Sequence, residues 1–210
     1  MAWNSHPWRL TQLYIGLLLY GFGAGLQVRA GLGLDPWDVF HQGLSRTFGL
    51  GIGTWSIIVG AAVLLLWIPL RQRPGLGTIS NVVLIGVSLN LTLQFVPNLH
   101  GLALRIAVLA LGILIGGVAT GMYIGANYGP GPRDGLMTGL ARRTGRSIRL
   151  VRTCIEVAVL SAGWLLGGTV GVGTLAYAVA IGPLAQIFLP IFATNRPVKT
   201  QPAVAVARSC

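Results

Sequence analysis

Six stretches of almost uninterrupted apolar residues, joined by short polar links, run along this chain near 10–31, 53–70, 76–97, 102–127, 150–170 and 172–194. Each approaches the ~20 residues that a helix needs to cross ~30 Å of hydrocarbon. The blocks are too long for a soluble core, and the links leave no room for a water-soluble domain. Two further segments, Pro36 to Gly49 and Pro132 to Gly145, predict helices of about 14 residues, roughly 20 Å long. They are too short to span and too polar, with Asp38, His41, Gln42 and Arg46 in one and Arg133, Asp134, Arg142 and Arg143 in the other. Both read as short amphipathic re-entrant helices at the interface or dipping part-way in. Proline suits the first turn of each, with Asp35 as N-cap in the first and Gly131 in that place in the second. The expected fold is all-α and polytopic.

The pattern is stated twice, 96 residues apart (33 to 129) and without a gap. Gly33-Leu-Asp-Pro36-Trp-Asp38 returns as Gly129-Pro-Gly-Pro132-Arg-Asp134, and Gly75-Leu-Gly77-Thr78 returns as Gly171-Val-Gly173-Thr174. Arg9 pairs with Arg105, Gly16 with Gly112, Gly21 with Gly117 and Gly25 with Gly121. Such periodicity is settled before any other reading of the fold. It divides residues 1–195 into one membrane domain of two repeats, 9–104 and 105–195, followed by a flexible cytoplasmic tail, 196–210. The first apolar block copies one in mid-chain, so it reads as a span and not as a cleaved leader. With the re-entrant helices not crossing, each repeat has three spans, about six in all. An odd number turns the second copy upside down, and the pair becomes an inverted repeat of the kind that builds transport sites at its axis. Eight crossings would make the copies parallel; the length and polarity of the re-entries favour six.

Composition agrees, with 53% hydrophobic and 9% charged residues against about a quarter charged in soluble domains. The basic residues behind the net charge of +11 gather in the links, the re-entries and the ends of the apolar blocks. On the six-span path one side holds Arg9, Arg71, Arg73, Arg133, Arg142, Arg143, Arg146, Arg149, Arg152, Arg196, Lys199 and Arg208, the other only Arg29, Arg46 and Arg105. Twelve against three puts both termini in the cytoplasm. Such a surface suits anionic lipid headgroups, so the partner expected is the bilayer and not nucleic acid. A homo-oligomer or a membrane partner protein stays open. Two cysteines and three scattered histidines imply neither disulfide nor metal. No Ser-His-Asp set, HExxH or CxxC gives an enzyme reading anything to rest on, and no cofactor is called for.

Four carboxylates exist, Asp35, Asp38, Asp134 and Glu156, and three sit in the re-entries. Asp38 and Asp134, with Trp37 and Arg133 beside them, are candidates for holding a solute or ion at half-helix ends. Capping of the first turn explains the same aspartates, and both readings stand. Glu156 lies inside the fifth span and needs a partner; Arg152 and Arg149 share its helical face. Asn81 and the other polar residues of the third and sixth spans, Asn90, Thr92, Gln94, Tyr177 and Gln186, are candidates for lining a cavity or for joining helices. Pro36, Pro132, Gly33, Gly129, Gly77 and Gly173 form the repeated structural motif. Gly21-xxx-Gly25, Gly112-xxx-Gly116 and Gly117-xxx-Gly121 read as close-packing faces, and Thr78 and Thr174 as helix caps.

At Gly33-Leu-Asp-Pro-Trp-Asp38, Gly75-Leu-Gly-Thr78, Gly129-Pro-Gly-Pro-Arg-Asp-Gly-Leu136 and Gly171-Val-Gly-Thr174 the chain resembles the YczE/YitT type of bacterial integral membrane protein. The resemblance implies a bacterial plasma (inner) membrane and supplies no activity. Transport of an unknown small solute between the repeats is the leading expectation. The alternatives are a non-transporting scaffold or regulatory partner, and a substrate-capture subunit of a larger transporter.

Overall fold

A computed structural model describes residues 6–194. Those residues form helices joined by short turns, with no strand among them. In order these are α1 (His6–Ala30), α2 (Pro36–Phe48), α3 (Ile52–Trp67), α4 (Leu76–Phe95), α5 (Leu102–Gly125), α6 (Pro132–Thr144), α7 (Ile148–Leu165) and α8 (Val172–Phe192). Pro36 and Pro132, Ile52 and Ile148, and Leu76 and Val172 open corresponding helices, so the all-α expectation holds element by element. The tail at 196–210 lies outside the described residues.

The helices expected to span are not all equal to it. By length and composition α1, α4, α5 and α8 can cross a membrane, and α2 with α3, bent by 112°, form either a fifth, broken span or a re-entrant loop. Alone, α3 has 16 residues, about 24 Å at 1.5 Å per residue, and α7 carries Arg149, Arg152 and Glu156. The amphipathic reading also needs correction for α6: its buried positions are Pro132, Gly135, Met137, Gly139 and Ala141, mostly too small to make an apolar face.

Glycines set how the long helices meet. A Cβ on Gly23 would stand 2.8 Å from Gly112 O, and one on Gly112 2.8 Å from Gly23 O, so α1 and α5 are in backbone contact. Along this seam Gly16 meets Met122, Gly23 meets Gly112, and Arg105 meets Ala30, so the two helices are antiparallel. By the same test α1 is parallel to α4, with Gly21 on Ile85 and Gly25 on Thr92, and α5 is parallel to α8, with Gly117 on Leu184 and Gly121 on Phe188. Gly116 has open space beside it. Arginine closes both ends of the α1–α5 seam. Arg9 donates to Ala126 O at 2.8 Å, and Arg105 donates to Ala30 O at 2.6 Å and Gly31 O at 2.8 Å.

Each re-entry docks on the opposite half. Gly33 and Gly129 share φ +122°, a conformation that favours glycine. Gly173 N–H donates to Leu32 O at 2.8 Å, and Gly77 N–H donates to Tyr128 O at 3.0 Å. Thr174 Oγ1 accepts from Leu34 N at 3.1 Å and from Gly171 N at 3.3 Å. Thr78 Oγ1 accepts from Gly75 N at 3.2 Å and donates to Pro130 O at 2.8 Å. The threonines do cap their helices, and they also clasp the other half. Below these turns α2 lies on α7 through Gly43 and Gly163, and α6 lies on the end of α3, where Trp67 Nε1 donates to Pro132 O at 3.1 Å.

One correspondence fails. Gly53 and Gly86 bring α3 and α4 so close that a Cβ on Gly53 would lie 2.0 Å from Gly86 O. Asn90 bridges the same seam, accepting from Gly53 N at 2.9 Å and donating to Thr54 Oγ1 at 3.1 Å. In the second half Arg149, Gly182 and Gln186 hold these places. There α7 hardly touches α8, and a Cβ on Gly182 would meet nothing within 4 Å.

Candidate functional site

A cavity of about 120 Å³ lies where the two halves meet, and every helix contributes to its wall. That is far more than one water molecule needs. The N-terminal turns of α2 (Pro36, Trp37) and α6 (Pro132, Arg133, Asp134) both open onto it. Local chemistry explains their positions. Proline at N1 starts each half-helix without losing a bond, and Asp35 Oδ1 accepts from Trp37 N at 2.8 Å and Asp38 N at 3.0 Å. Gly131 provides no such side chain for α6.

Arg133 is the electrostatic centre. Its Nη1 stands 3.6 Å from Asp35 Oδ1 and its Nη2 3.9 Å from Asp38 Oδ1. Its Cζ lies 5.0 Å over the Trp37 ring, a cation–π arrangement. Trp37 and Arg133 occupy matching positions of the two repeats in the sequence, 96 residues apart (37 to 133). His41 Nδ1 lies 3.1 Å from Asp38 Oδ1, buried with it. Tyrosines close another side: Tyr20 and Tyr177 share a hydrogen bond of 3.2 Å, and Tyr123 Oη donates to Asp134 Oδ2 at 3.5 Å. Towards the α7 side Arg152 Nε donates to Glu156 Oε1 at 2.8 Å, both partly exposed. Ser56 and Gly60, which stand where α7 has Arg152 and Glu156, line the same cavity.

Of the candidates, Trp37, Asn81, Arg133, Asp134 and Glu156 line the cavity, and Asp38 adjoins it through Arg133. All six are therefore brought together. Gly33, Gly129, Gly77 and Gly173 stand behind the wall as the docking turns. The polar residues of α4 divide: Asn81 lines the cavity, whereas Asn90 holds α3. Sequence reasoning missed Tyr20, Tyr123 and His41, and took Asp35 only as a cap. A signal for two of them was present, because Asp35, Asp38 and His41 are spaced three apart and so share one helix face.

The family described as a family of unknown function, DUF6198, matches residues 7–190. An uncharacterized protein of Haemophilus influenzae is 39% identical over 191 residues, covering 91% of this chain and 88% of that protein. An uncharacterized membrane protein of Bacillus subtilis, YczE, is 37% identical over 184 residues, covering 87% and 86%, which bears out the resemblance. A second uncharacterized protein of Bacillus subtilis, YyaS, is 28% identical over 181 residues, covering 84% and 90%. No solved structure matches the chain.

Proposed function

The chain belongs to the DUF6198 family, and on that premise we propose that this membrane protein is a small-solute transporter whose site is the cavity between two inverted halves. The observation that carries the reading is the gathering of all four carboxylates of the chain around that one cavity, where two half-helix N-termini meet. Charged groups at membrane depth are costly and mark pathways, and broken helices at an axis are how many transporters hold a solute.

The helix directions support six crossings. Because α1 and α4 are parallel, the chain between them returns across the membrane, which α3 supplies with α2 either as a re-entrant helix or as the first part of a broken span. The same holds for α6 with α7 between α5 and α8. The antiparallel packing of α1 on its copy α5 supports an axis in the membrane plane. The excess of arginine at one face favours cytoplasmic termini, and the bacterial relatives favour a plasma (inner) membrane.

Alternating access needs the two halves to differ at any instant. That difference is found at the seams: α3 is shut on α4, whereas α7 stands off α8 and leaves the Arg152–Glu156 side of the cavity loosely covered. The opposite state would close Gly182 on α7 and part Gly53 from Gly86.

The test is a thermal-shift screen of the purified protein against amino acids, vitamins, nucleosides, amines and metal ions, then counterflow of the hits in liposomes holding this protein alone. Movement of a labelled hit supports transport. A hit that binds and does not move would make the protein a capture subunit. No hit, with a protein partner on purification, would make it a scaffold.

A further inference from the structure

We propose that the cavity takes a small protonated amine, its ammonium group held against Asp134 and its carbon skeleton against the aromatic wall. This rests on the transport reading only for its setting, since binding is measured without it.

Charge is the first ground. Four carboxylates, Asp35, Asp38, Asp134 and Glu156, face two guanidinium groups, Arg133 and Arg152, in a chain whose net charge is +11. Two formal negative charges are left around the cavity. Arg133 is shared by Asp35 and Asp38, and Arg152 is taken by Glu156. Asp134 has no ion pair within 4.0 Å among the described residues: Arg152 and Arg133 act on it from further off, and its hydrogen bonds come from the Gly131 backbone and, at 3.5 Å, from Tyr123. A carboxylate withdrawn from water needs a counter-charge, and the ligand supplies it.

Unsatisfied polar atoms are the second ground, independent of the first. Trp37 and His41, 6% and 1% exposed in the cavity wall, carry ring nitrogens, Nε1 and Nε2, without a hydrogen-bond partner among the described residues. With Asp38 as a carboxylate, which can only accept, the 3.1 Å contact puts the His41 proton on Nδ1, and a neutral ring then has Nε2 as an acceptor. An acceptor without a donor suits an N–H group, and the Trp37 N–H suits an oxygen on the same ligand. Buried groups of this kind are rare and call for an explanation.

The wall decides between an organic and an inorganic cation. Tyr20, Trp37, Tyr123 and Tyr177 offer ring faces and hydroxyls, and Arg133 over Trp37 demonstrates that a cation is accepted there. A hard metal ion asks for six or more oxygens in a compact shell, and no group of three or more His, Cys, Asp or Glu side chains among the described residues could hold one. An amine with a hydroxyl matches the whole inventory.

The experiment uses the full chain in detergent and three probes of one shape: ethanolamine, neutral ethylene glycol and anionic glycolate, with putrescine as a second amine and sodium chloride at equal ionic strength as the blank. The expected result is thermal stabilisation by both amines and neither of the others, with affinity for ethanolamine at least tenfold weaker in Asp134→Asn and kept within threefold in Asp134→Glu. Stabilisation by glycolate at or above that by ethanolamine overturns the proposal. So does the absence of an amine shift beyond the blank. An amine shift that Asp134→Asn leaves unchanged overturns the assignment to Asp134. If Asp134→Asn does not fold, the wild-type probes alone decide the charge class. Amine binding without counterflow in liposomes would sink transport and leave this site; counterflow of an anion would do the reverse.

Discussion

Replacing Arg133 by leucine strands two buried carboxylates at once, and the size of the effect can be worked from the geometry. The guanidinium stands 3.6 Å from Asp35 and 3.9 Å from Asp38, so each attraction is worth roughly 4 kcal/mol at an effective dielectric of about 20. Desolvation of all three groups offsets much of that. What a variant reports is the loss on removing one partner of a buried pair, about 3–5 kcal/mol. For a chain of 210 residues, at about 2–4 °C per kcal/mol, the melting temperature should fall by about 6–20 °C. The control is a second variant, Arg133→Leu with Asp35→Asn and Asp38→Asn. Asparagine caps a helix about as well as aspartate, so this triple change removes the stranded charge and keeps the start of α2. It should recover at least half of the loss. Thermal melts of the three proteins in one detergent, followed by tryptophan fluorescence, make the comparison. If Arg133→Leu melts within 2 °C of the parent, or the triple variant melts no higher than the single one, the charge argument for this site is wrong.

Three further outcomes are expected. Gly53→Ala should destabilise by about 1–3 kcal/mol, because its Cβ would lie 2.0 Å from Gly86 O; Gly182→Ala, with open space, should be neutral or gain up to about 1 kcal/mol in helix propensity, and equal melts for the two would deny the difference between the seams. Thr174→Val should cost about 1–3 kcal/mol, since it leaves the buried Leu34 N–H of the other half unmet; Thr78→Val, whose partner is the carbonyl of the exposed Pro130, should cost less, and a pair of unchanged melts would remove the clasp from the account. In a background with Cys154 and Cys210 changed to serine, Arg73→Cys and Val170→Cys should react with an impermeant thiol reagent from opposite faces of the membrane; labelling from the same face would end the inverted arrangement.

Helix starts were legible because polar and glycine residues punctuate apolar runs in this chain. Pro36, Pro132, Gly75 and Gly171 each mark a start or N-cap that the fold uses. Asp38, Asp134 and Glu156 were legible as candidates because a carboxylate in so apolar a chain has few reasons to be there. Tyr20 and Tyr123 were not, since a tyrosine within an apolar run fits a span without any further role. Asp35 was half legible: capping accounted for it locally, and its second contact comes from Arg133 on α6, which no local pattern reports. The parting of α7 from α8 was also hidden. Arg149 in place of Gly53 was visible as a change of charge, yet what it displaces depends on Gly86, a glycine kept as Gly182 in the other half.

The crossed docking of the turns has a bearing on biosynthesis. When α2 leaves the ribosome, the carbonyl of Leu32 and the amide of Leu34 still lack the residues that receive them, Gly173 and Thr174. Those arrive only with the final span. The nascent N-terminal half therefore sits in lipid as an unfinished piece, with Asp35 and Asp38 also awaiting Arg133. A gene cut between Val96 and Gly101 should therefore yield stable protein only when both fragments are made together.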